Sequence, residues 1–189
     1  MFGQLWVQIR SFGKRAGLTV SNACSYDTEM CNTQAGSVDL LGVVREAVER
    51  ARELRRAGRD PREAGEELRT IRKVCNLLDL EFARVAAEFA RSQEYDRDGY
   101  VSPVSWIRHE CNVTAHAAGS AIRVGDQEPV LTESLAAMKD GEIGFAHLAL
   151  LAGTAEAVRT ASPSGEFDER PLLRLARSHM VNRFRSDYV

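Results

Sequence analysis

The run Glu66–Ser92, EELRTIRKVCNLLDLEFARVAAEFARS, decides the fold. Its residues Leu68, Ile71, Cys75, Leu78, Phe82, Val85 and Phe89 follow one another at intervals of 3, 4, 3, 4, 3 and 4. An α-helix turns once in about 3.6 residues, so this repeat lays them along one stripe, whereas a strand would need alternation. The stripe predicts a long helix packed against its neighbours, the core axis of a domain. Burying each large side chain contributes roughly 1.5 to 3 kcal/mol before entropy is subtracted. Cys75 falls on the stripe, where a free thiol behaves as a small hydrophobe. The same heptad spacing suits two copies of the helix, so a homodimer through it is a second use of the stripe.

Before this helix, Val38, Leu41, Val44, Val48 and Leu54 recur at helical spacing with Glu and Arg between them, which predicts a surface helix from Ser37 onward. Arg50, Arg52, Arg55, Arg56, Arg59 and Arg62 form the densest basic cluster, but glutamates interleave it and it reads as a solvated face. Gly58, Asp60 and Pro61 separate the two helices. Residues 1–36 mix isolated apolar residues with Gly13, Gly17 and a polar run, and read as a poorly structured N-terminal extension with no assigned function. The helical domain is then 37–189.

After the long helix, Asp96, Asp98 and Gly99 stand as in part of a calcium loop, but its twelfth position would be Ser105. A polar turn, with Gly99 in an unusual backbone angle, is the expectation. Val101–Arg123 reads as two short helices joined by a tight turn. Ser102 and Pro103 start the first, and Thr114 caps the second, whose apolar face is Ala117, Ala118, Ala121 and Ile122. That helix-turn-helix outline is one way to offer a helix to a DNA groove. Its outward line His116, Ser120 and Arg123, with Arg108 on the first helix, supplies the candidate DNA contacts. Glu128-Pro129 predicts a further helix through Val130, Leu131, Leu135 and Met138, closed by Gly141. Another runs to Val158, and one or two short helices after Phe167 bury Leu172, Leu173, Leu175, Ala176, Met180 and Phe184. No strand pattern interrupts the series. The fold class is all-α: a multi-helix bundle with one long central helix and a helix-turn-helix-like pair of short ones.

The 189 residues are 44% hydrophobic and 28% charged, enough for one domain with a real core. A net charge of −2 excludes a whole-molecule positive field, so any attraction to nucleic acid must be local. Cys24, Cys31, Cys75 and Cys111 form no C-x-x-C pair or zinc-ligand spacing. His109 and His116 lie across the turn on different helices, so no metal site is expected. No Ser-His-Asp set or phosphate loop stands out, and the expectation is a non-enzyme with no cofactor and no small-molecule substrate. No run of about 18 apolar residues occurs, which excludes a membrane-spanning helix. A soluble, cytoplasmic protein without a membrane partner is expected.

Three blocks in order, LLDLEFARVAAEFARSQEYDRDGYVSPVSWIRHECNVTAHAAGSAIRVG, LAAMKDGEIGFAHLALLAG and FDERPLLRLARSHMVNRFR, resemble DUF222, also called the 13E12 repeat family, of HNH-endonuclease-associated proteins. The resemblance places Gly99 and Trp106 at the start of the first short helix. It places Thr114 to Arg123 in a segment that is usually arginine-rich, and matches Gly141, Glu142, Ile143 and His147 to the family's Gly-Glu-Ile-x-x-x-His pattern. A similar run follows the helix-turn-helix of ParB-type partition proteins, an analogy of fold only. The resemblance implies a bacterial protein that contacts double-stranded DNA. Two departures bear on it. Neither a histidine-rich ββα segment nor a zinc-ribbon cysteine set occurs, so the HNH nuclease module and its metal chemistry are not expected in this chain. The outward line of the second short helix carries one arginine, which implies weak salt-dependent binding. The function expected is a non-catalytic, DNA-contacting helical domain; the alternative is an interaction or self-assembly domain that binds no nucleic acid.

Overall fold

The computed structural model describes residues 39–56, 58, 60–162 and 166–188, and among them every regular element is helical. The chain divides into two units, Met1–Gly58 and Arg59–Val189. The expected extension 1–36 lies outside the described residues.

In the first unit the described element is α1, Leu40–Arg56. Asp39 caps it, its Oδ1 accepting from the Gly42 N–H at 2.9 Å. Glutamates and arginines dominate its surface, and Arg52 pairs with Glu49 one turn earlier. Arg50, Arg52, Arg55 and Arg56 are exposed, and so are the apolar Leu40, Leu41, Val43 and Val48.

The second unit is built on α2, Ala64–Ser92, whose 29 residues rise about 44 Å. There follow α3 (Glu94–Arg97), α4 (Pro103–Glu110), α5 (Ala115–Gln127), α6 (Thr132–Asp140), α7 (Phe145–Ala161), α8 (Arg170–Ser178) and α9 (Val181–Tyr188). The all-α bundle and its long helix are as the periodicity predicted. The helix expected at Glu128 is instead a 3-10 turn, Glu128–Val130, and α6 begins only at Thr132. Pro129 has no N–H to give an α-helical ladder running on from α5, so the chain tightens and redirects there.

At the centre α5 packs chiefly against α2 and α7. Ala118, Ala121 and Val124 of α5 meet Leu80 and Ala83 of α2 and Leu148, Leu151 and Ala152 of α7 in one core, which Leu131, Met138, Leu173 and Phe184 complete. Small residues let α2 and α5 approach closely. A methyl at Gly125 would lie 2.3 Å from the Ala83 carbonyl oxygen and 2.6 Å from the Ala87 Cβ, so only glycine fits.

The face α2 buries is not the one its periodicity pointed to. Asn76, Leu80, Ala83 and Ala87 face the core. The heptad stripe lies about 140° round the helix from them, as follows from 3.6 residues per turn. Leu68 is 68% exposed, Ile71 46%, Phe82 37% and Val85 62%, while Cys75 and Leu78 are half-buried. Its last member, Phe89, has aromatic partners, Trp106 at 4.4 Å and Tyr95 at 6.3 Å between ring centroids. Met180, expected inside, is exposed; Phe184 one turn later takes the core position.

Candidate functional site

The turn between α4 and α5 forms as its residues dictate. The Ser102 hydroxyl accepts from the Ser105 N–H at 3.1 Å and Pro103 opens α4. The Thr114 hydroxyl accepts from the Ala117 N–H at 3.0 Å to start α5. Asn112 takes a left-handed conformation, φ 54°, and reverses the chain. The geometry is a helix-turn-helix outline, but α5 is the central packing helix of the unit. Of the four candidate DNA contacts, Arg108 and His116 are exposed. Ser120 is buried among core residues, because the helical line from His116 turns inward by the next turn. Arg123 is half-buried and its Nε donates to Glu156 of α7 at 2.6 Å. The four residues therefore form no continuous outward line.

A polar cluster that sequence reasoning missed lies beside α4. The Tyr100 hydroxyl donates to Glu110 Oε1 at 2.5 Å, and His109 Nδ1 is 2.8 Å from that hydroxyl and 2.9 Å from the same carboxylate oxygen. The Tyr100 hydrogen bond, and then the one from His109, hold the Glu110 carboxyl below its ordinary range. In return the bond to Glu110, reinforced by desolvation, raises the Tyr100 phenol. Trp106 Nε1 donates to Asp98 at 2.7 Å, so the carboxylate that suggested a calcium loop anchors an indole instead. Gly99 has φ 79°, as the turn required. Tyr100 stands ten residues from Glu110 across a turn, and no spacing rule links them.

The Gly141, Glu142, Ile143 and His147 block makes structural contacts. Gly141 caps α6 at φ 81°. Glu142 accepts from Arg177 Nε at 2.7 Å, and Ile143 is buried. His147 Nε2 donates to the His179 carbonyl at 2.9 Å and its ring lies 5.8 Å from that of Phe184, joining α7 to the junction of α8 and α9. Glu169, which carried no signal in the sequence, is buried and caps α6 from a distance. Its two oxygens accept from the Glu133 and Ser134 N–H groups at 2.8 and 2.9 Å.

An open groove of about 680 Å³ lies between α5 and α6, lined in part by Arg91, Asp126, Glu128 and Lys139. Its charges are largely tied to one another. Arg91 pairs with Asp126 at 2.7 Å, and Glu128 takes Arg84 of α2 in a two-oxygen pair that lowers the Glu128 carboxyl and raises the guanidinium. Among the described residues no group of three or more His, Cys, Asp or Glu side chains is placed to hold a metal ion, and no helix is long and apolar enough to cross a membrane.

The outer stripe of α2 leaves Leu68, Ile71, Phe82 and Val85 exposed. Comparison of the chain with family models, curated proteins and solved structures gave no match.

Proposed function

We propose that the chain is a non-catalytic helical interaction module whose working surface is the outer stripe of α2. The observation that carries this reading is the exposure of Leu68, Ile71, Phe82 and Val85 along one face of a helix that buries its opposite face. A contiguous apolar surface of this kind costs solubility unless something covers it, and such surfaces mark sites of association. The polar clusters are consumed by the fold: Arg123 by Glu156, Glu128 by Arg84, His147 by the His179 carbonyl. The test is a photo-reactive benzoylphenylalanine at Val85 of the full chain. Covalent adducts that disappear when Ile71→Glu is added support the module; no adduct, or adducts indifferent to Ile71→Glu, would overturn it.

Duplex DNA contact is the second reading, favoured by the capped α4–α5 turn with Arg108 and His116 exposed beside it and by the resemblance to HNH-associated proteins. With Arg123 paired and Ser120 buried, one fixed positive charge is left at this face among the four candidates, which supports at most weak binding. A low-salt fluorescence titration against duplex DNA decides it: binding lost in Arg108→Ala would establish the contact, and no binding would remove it.

A further inference from the structure

We propose that the partner for the outer stripe of α2 is a second copy of this chain, the two α2 helices pairing in parallel and in register. This rests on the interaction reading above and names its occupant. A stripe that repeats every 3.5 residues drifts off a straight surface but stays in contact with another helix of the same repeat, because both supercoil to follow it. From Leu68 to Val85 the stripe rises about 26 Å at 1.5 Å per residue. A second copy of the chain carries a helix with the same stripe of the same length.

Charge chooses the orientation. Leu68, Cys75, Phe82 and Phe89 take one core position of the heptad, and Ile71, Leu78 and Val85 the other. Glu67, Val74, Glu81 and Glu88 then flank the seam on one side, and Arg72, Asp79 and Ala86 on the other. In a parallel pair each flanking residue of the first set meets the residue five positions on in the second copy. Glu67 meets Arg72, Val74 meets Asp79 and Glu81 meets Ala86, with two opposite-charge pairs by symmetry and no like-charge pair. An antiparallel pair centred on the stripe sets Arg72 against Asp79 twice but also Glu67 against Glu88 twice, so its attractions and repulsions cancel. Arg72 already binds Asn76 and Asp79 of its own helix, at 3.1 and 2.8 Å. Its five N–H donors leave room for a further carboxylate. The core that α2 forms with α5 lies on the opposite face, so pairing needs no rearrangement of the unit.

Cys75 near the middle of the stripe provides the test, carried out on the full chain with Cys24, Cys31 and Cys111 changed to Ser. Sedimentation velocity over a range of concentration should show a monomer giving way to a species of twice the mass, and Val85→Glu should leave monomer only. Because Val85 is exposed in the single chain, circular dichroism should show that variant folded. Mild oxidation with copper phenanthroline should join two chains through Cys75. It should also do so through Val85→Cys in a Cys75→Ser background, since the parallel register brings identical positions together. Linking at Cys75 but not at Val85→Cys means an antiparallel pair and overturns the register. A monomer at every concentration overturns self-pairing, and if Val85 photo-adducts sensitive to Ile71→Glu persist in that case, the interaction reading stands with another partner. A dimer indifferent to Val85→Glu places the contact elsewhere and also overturns the proposal.

Discussion

Glu169 shows how much a single side chain can hold that no motif announces. It is 35 residues beyond Ser134, yet its carboxylate accepts two N–H groups at the start of α6, where Leu131 offers no capping side chain. Leaving buried donors unpaired costs about 1 to 3 kcal/mol. Glu169→Ala should therefore lower stability by that amount, seen as a lower urea midpoint with an unchanged slope. An unaltered midpoint would show that water replaces the cap. Tyr100 offers a second readout. Its phenol is raised by the hydrogen bond to Glu110, so its bond stabilises the fold at pH below the ordinary phenol value near 10 and is lost as pH rises through the raised value. In an ultraviolet titration a tyrosine ionisation should fall above the ordinary phenol value, and Glu110→Gln should bring it back toward that value. A parent protein with no such late ionisation would contradict the geometry.

At the scale of elements, the caps were legible and the faces were not. Ser102, Thr114 and Gly141 act within a residue or three of themselves, so local chemistry alone specified them. The stripe of α2 was read correctly as a stripe, but a helical period fixes which residues share a face and not which neighbour that face meets. The opposite face of Asn76, Leu80, Ala83 and Ala87 looks weak by hydropathy, and it wins because small side chains admit α5. Gly125 is the measure of that approach. Alanine there gains about 1 kcal/mol in helix propensity, but its methyl meets a backbone carbonyl at 2.3 Å that cannot swing aside, and overpacking typically costs 1 to 3 kcal/mol. Gly125→Ala should be net destabilising. Gly119 on the same helix has nothing within 4 Å, and Gly119→Ala should raise stability by about 0.5 to 1 kcal/mol. If both variants melt alike, the two helices are not in close contact.

For the whole molecule, the all-α class followed from periodicity that runs through most of the described chain. The candidate site followed poorly, because pairs such as Arg123 with Glu156 and Arg84 with Glu128 join residues 33 and 44 positions apart. Spacing alone makes His116, Ser120 and Arg123 an outward line, whereas in the fold Arg123 pairs with Glu156 of α7 and Ser120 is buried. On the proposed pairing, Val85→Glu should halve the mass in solution, and because association of the folded chains raises their apparent stability it should also lower the melting temperature toward that of the unpaired chain. The distant cap on α6 also has a consequence for biosynthesis. A ribosome delivers Thr132–Asp140 well before Glu169, so α6 leaves the exit tunnel with its first N–H groups unclaimed, and His147 must likewise await His179. The bundle closes late in translation: released chains that stop before Glu169 should be cut readily by protease around α6, and the 189-residue chain should resist.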